Sequence, residues 1–218
     1  MGTVLALLDQ LVASAREHPE GNLIGDLIRA ADASESPLSD ADLRDQLMLI
    51  IIAGTGTTVH AIGALLVHLL SHPEQLALVT SGQVSVDAGP DLEPVPAPLI
   101  AAAPLRFAVR QFVDSRSGEQ LGEGALLLHL AGANLASDRY VEPERFDVQR
   151  ADVSRSLAFE YGPHVCPGAA LAAREITIAV ACLLGRLLNA RLAVAPEHLE
   201  QNPSFISNGY AAIAVQLA

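Results

Sequence analysis

The chain has 218 residues, half of them hydrophobic, only 4% aromatic, no tryptophan, and a formal net charge of -12. Its core must therefore be built from Leu, Ala, Ile and Val. The acidity excludes nucleic acid as a partner, because phosphates demand Lys and Arg. Two cysteines, Cys166 and Cys182, are too few for a disulfide framework and point to a reducing compartment, the cytoplasm.

Residues 3–17 carry apolar side chains at helical spacing, with no basic leader segment ahead of them. A short helical stretch, "LIGDLIRAAD", follows. Ser39 stands three residues before Asp42, a capping-box spacing, and Asp40, Asp42 and Asp45 sit where a helix dipole favours negative charge. The spacing predicts a long helix over about 39–71. Within it, Leu47–Leu70 contains no Asp, Glu, Lys or Arg over 24 residues, about 36 Å of helix. The polar centre "AGTGTTVH" and His68 favour a buried core helix over a membrane span. "HPEQLALVTSG" then places a proline at the start of another helix.

Five prolines between Pro90 and Pro104 disfavour helix there, since interior proline costs about 3 kcal/mol. "LRFAVRQFV" and "GALLLHL" read as strands around the turn "DSRSGEQ", a β-rich segment over about 105–130. A polar loop leads to "FEYGPHVCPGAALA" and a helix over about 168–188, and the tail reads as strand pieces. The whole reads as one mainly α domain with small β-sheets.

Cys166 falls at a helix mouth, where unpaired backbone N–H groups and the positive dipole end favour thiolate, the form that binds soft metals or attacks as a nucleophile. His164, two residues away, is poorly placed as its base. A zinc site would need further spaced ligands. A packed structural cysteine is the plain alternative.

The neighbours extend the pattern. Phe159, Gly162, His164, Cys166 and Gly168 spell F-x-x-G-x-H-x-C-x-G. This resembles the haem-binding loop of the cytochrome P-450 superfamily, in which the Cys thiolate is the axial iron ligand. Gly168, Leu171, Ala172 and Glu175 resemble the helix that follows it, although Ala173 stands where an Arg is usual. The long charge-free helix resembles the distal helix, "RFDVQR" with Phe146, Asp147 and Arg150 the segment before the loop, and "SNGYAAIAVQLA" the closing strands. The resemblance runs over essentially the whole chain but matches only the C-terminal half of the family's fold. It implies haem bound through Cys166, electrons from a ferredoxin- or reductase-type partner, and insertion of one oxygen atom from O₂ into an apolar small molecule. It places Thr57 where a residue hydrogen-bonds bound oxygen or water; back-bonding to the preceding helical turn is the alternative. Arg110 falls where a haem propionate is held, and His164 either shares that role or faces solvent.

Three departures stand beside the resemblance. Half of the family's fold has no counterpart, which leaves the apolar Leu47–Leu70 face in want of a second chain or of self-association. Gly56 replaces the acid before the distal threonine. The family's Glu-x-x-Arg pair falls on Ala97 and Ile100, among prolines; losing both members of a buried pair is milder than losing one. A non-catalytic helper of a partner enzyme and a decayed gene product are the alternatives to an enzyme.

Overall fold

The computed structural model describes residues 2–84, 106–109, 125–128, 130–136, 138, 140–150, 156–187, 189–203 and 209–217. In chain order these form α1 (Gly2–Glu17), α2 (Leu23–Asp32), α3 (Asp40–Ser71), α4 (Pro73–Thr80), β1 (Arg106–Val109), β2 (Ala125–Leu128), α5 (Leu130–Asn134), a 3₁₀ turn (Gly162–His164), α6 (Ala169–Arg186), β3 (Arg191–Leu192), a second 3₁₀ turn (Pro196–His198) and β4 (Val215–Gln216). The chain divides into two compact units, Met1–Gly56 and Thr57–Ala218, so the division falls inside α3.

In the first unit, α1 buries Leu8, Val12 and Ala15 with Ile28 and Ala31 of α2 and Leu43 and Leu47 of α3. The spacing of these positions is the 3.6-residue stripe of an amphipathic helix. Asn22 caps α2 by accepting the Gly25 N–H at 2.9 Å. Gly25 lies so close to the Pro19 backbone that a side chain would not fit. The start of α3 has the predicted capping box: Asp42 N–H donates to Ser39 Oγ (3.2 Å), and Ser39 N–H and Oγ donate to Asp42 Oδ2 (3.0 and 2.6 Å). Those two hydrogen bonds hold the Asp42 carboxyl below its ordinary value. The cap's contribution is thus complete above the ordinary carboxylate range and lost as pH falls through the depressed value.

In the second unit, α3 buries Ala61, Leu65, Leu66 and Leu69 in a core shared with Phe146 and with Ile176, Val180 and Leu184 of α6. β1 and β2 pair antiparallel with Arg106 opposite Leu128 and Val109 opposite Ala125; the predicted turn "DSRSGEQ" and the proline-rich stretch, with Ala97 and Ile100, lie outside the described residues. β3 and β4 also pair antiparallel, Leu192 opposite Val215, and an isolated bridge joins Gln201 and Tyr210. Gly209 passes so close to the His60 ring that a Cβ there would overlap it. This close approach is the reason a glycine stands at 209.

The burial pattern of α3 refines the expectation of a bare Leu47–Leu70 face. Leu47 and the positions from Ala61 to Leu69 belong to the two cores, whereas residues 49–57 are exposed on every side of the helix. Leu49 is 59% and Ile52 65% exposed. A helix apolar all round is ordinarily buried. Among the described helices α3 is long and apolar enough to cross a membrane, with 33% of its most apolar window buried.

Candidate functional site

The cysteine loop is built on anchors that precede it. Asn134 at the end of α5 is buried, and its Oδ1 accepts the Leu157 N–H at 2.8 Å. In the segment before, the Arg150 guanidinium donates to the carbonyls of Val141 (2.9 Å), Glu142 (2.7 Å) and Arg145 (2.9 Å). That guanidinium fork gathers one side of a turn in which Glu142 takes a left-handed φ of 47°. The turn delivers Phe146 into the core, and the Val148 N–H donates to Oε1 of the buried Gln75 at 2.9 Å. Both amides sit where an unmet hydrogen bond is costly, so each buried side-chain amide fixes a stretch of loop. Asn134→Leu is expected to destabilise the fold by about 1–3 kcal/mol, because it leaves the Leu157 N–H without its partner. Urea unfolding of the variant beside the wild type measures this.

Ala158 and Phe159 then pack against the core shared by α3 and α6. The chain reverses through Glu160 (φ 63°) and Gly162 (φ 76°), both left-handed. The 3₁₀ turn follows, with Val165 N–H donating to Gly162 O at 3.0 Å. The Cys166 N–H donates back to Phe159 O at 2.9 Å and closes the loop on its own base. Cys166 is half-buried and a free thiol. A Cβ on Gly168 would stand 3.9 Å from its Sγ, so the sulfur adjoins the mouth of α6, whose first turn has no side-chain cap. Tyr161 and Val165, 84% and 54% exposed, flank it.

The structure thus gathers Phe159, Gly162, Cys166 and Gly168 into one loop. His164 closes the 3₁₀ turn with its backbone, but its side chain, like Arg110, lies outside the described part. Thr57 is exposed on α3, one turn before Ala61, which shares its core cluster with Phe159; Thr58 beside it is buried. Sequence reasoning missed Asn134 and Gln75. The available signal was a lone amide inside each of the apolar runs "LAGANL" and "PEQLALV". Among the described residues no three His, Cys, Asp or Glu side chains cluster as a metal cage. A single thiol presented at a loop-to-helix junction is a donor set that fits an axial haem ligand and not tetrahedral zinc.

The family model for cytochrome P-450 matches residues 7–81, the part of the chain holding α1 to α4. The cytochrome P-450 monooxygenase PikC of Streptomyces venezuelae is 32% identical over 217 residues, which cover 99% of this chain and 51% of PikC. Among solved structures, CYP154A1 from Streptomyces coelicolor is 35% identical with a TM-score of 0.78, covering 99% of this chain and 53% of that one. The polyketide-synthase cytochrome P-450 PksS of Bacillus subtilis superposes with a TM-score of 0.84 at 26% identity, over 98% of this chain and 54% of that one. The chain spans about half the length of the relatives it matches. A mainly helical fold with small antiparallel sheets, a cysteine loop at the mouth of a long helix, and end-to-end similarity to these proteins converge: the chain belongs to the cytochrome P-450 family, of which it represents about half the length.

Proposed function

We propose that Cys166 would hold a haem through its thiolate and that this chain carries the haem-ligating part of a monooxygenase-type oxidoreductase. The observation that carries the reading is the closed loop from Phe159 to Gly168, which presents one free, half-buried thiol beside the mouth of α6. A thiolate-ligated haem supplies oxygen activation when bound. The chain's own residues would do the rest. Phe159 roots the loop in the core, Gly162 supplies the left-handed turn, and Gly168 adjoins the sulfur at the mouth of α6. Arg110 and His164 would hold the propionates, and Thr57 would hydrogen-bond oxygen or water. Electrons would come from a ferredoxin- or reductase-type partner in the cytoplasm, and the substrate would be an apolar small molecule.

The test is the absorbance of the purified chain with added haemin, reduced and under CO. A thiolate-type Soret band is the expected result; a folded chain that gives none overturns the reading. One observation favours a second function, that of a binding partner for another protein: the exposed apolar stretch at residues 49–57 of α3. That reading expects a complex that forms equally well with and without haemin.

A further inference from the structure

The corner between α3 and α4 holds an aromatic cluster. His68 lies in the last turn of α3, and His72 precedes α4. Their rings stack at 25° with centroids 6.2 Å apart. The buried Phe146 ring meets each of them at 5.2 Å. His72 Nδ1 donates to the His68 carbonyl oxygen at 2.8 Å, which sets the tautomer and orientation of that ring. Phe146 therefore enters the core against two imidazoles that also stack on each other, in the cluster that also holds Phe159.

We propose that His68 and His72 form a pH-sensitive clasp on Phe146, closed while His68 is neutral and opened when His68 takes up a proton, so that mild acid loosens the Val141–Arg150 segment that precedes the cysteine loop. Besides the Phe146 ring, the surroundings offer an imidazolium little compensation. From α4 the neighbour is His72, with Glu74 exposed on the first turn. From the loop, Arg145 and Asp147 approach each other at 4.0 Å. From α6 come Ile176, Val180 and Leu184, none of them charged. Burial first, and a charge on His72 second, hold the His68 ring below its ordinary value of 6.5.

The direction follows from linkage. The unfolded chain binds the proton near the ordinary histidine value, and the folded chain binds it only at lower pH. The stability that depends on a neutral His68 is complete above that ordinary value and falls as pH drops toward the depressed one.

Urea unfolding of the chain between about pH 7.5 and 5 should show the unfolding equilibrium constant of the wild type rising with acid. The His68 share of that rise is at most about tenfold per pH unit, the limit for one proton. His68→Phe keeps an aromatic ring that cannot be protonated, and should remove that share while the other six histidines of the seven keep theirs. An unchanged slope in His68→Phe overturns the proposal. Should that variant not fold, NMR titration of the folded wild type decides. A His68 Cε1–H midpoint below the ordinary value, with the Phe146 ring resonances shifting in step, supports the clasp. A midpoint at or above the ordinary value, or Phe146 resonances that do not move, overturns it.

Discussion

Replacing Cys166 with serine is expected to abolish the thiolate-type Soret band of the haemin-loaded, CO-bound chain, while Cys182→Ser leaves it intact. Both cysteines are free, and Cys182 is exposed on α6 whereas Cys166 sits in the closed loop. Serine is close to cysteine in size, and the loop's closure rests on the Cys166 backbone N–H and not on its sulfur. The stability of the haem-free chain should therefore change by less than about 1 kcal/mol. A neutral hydroxyl is a poor donor to iron where a thiolate is a strong one, so the change falls on the spectrum and not on the fold. A Cys166→Ser protein that retained the band would remove Cys166 from the ligand position altogether. A protein that lost the band only because it had unfolded would show itself in far-ultraviolet circular dichroism.

The second large effect concerns α3. Leu69 is 1% exposed and packs with Phe146, Ile176 and Val180. Leu69→Ala should destabilise the chain by about 2–5 kcal/mol, the transfer and cavity cost of truncating a buried leucine. Ile52 lies on the same helix, is 65% exposed, and should cost less than about 0.5 kcal/mol on truncation to alanine, as surface changes do. Urea unfolding of the two variants side by side measures the contrast. A large loss in Ile52→Ala would mean that residues 49–57 are covered in solution, and its disappearance on dilution would identify the cover as a second copy of the chain.

Much of the local structure was legible in the chain. The capping box at Ser39 and Asp42 predicted where α3 begins, and hydrogen bonds between those two side chains mark that start in the structure. The alternation of charged and apolar residues in "LRFAVRQFV" and the apolar run in "GALLLHL" marked β1 and β2, and the spacing of Phe159, Gly162, Cys166 and Gly168 marked a loop leading into a helix. These are features whose causes lie within a few residues of one another. Other features were not legible for the opposite reason. "LMLIIIAGTG" and "IGALLVHLL" are equally apolar, yet one stretch is largely bare and the other is core. Hydropathy states what burial would gain, and only the arrival of α6 and Phe146 from far along the chain supplies the burial.

The polar anchors divide the same way. Nothing near Asn134 or Gln75 announces a role, because each is matched to an amide distant in sequence, Leu157 in one case and Val148 in the other. The partnership of His68 and His72 with Phe146 is likewise a tertiary fact, since an i, i+4 pair on a helix end is unremarkable until a third ring is placed against both. By itself, the sequence determined the helices, the cap, and which sulfur stands at the head of α6, since short-range backbone and capping interactions decide these. The tertiary structure decided which turns of α3 are covered, which buried amides hold the cysteine loop, and which histidine is shielded from water, since desolvation depends on the elements that close around a residue.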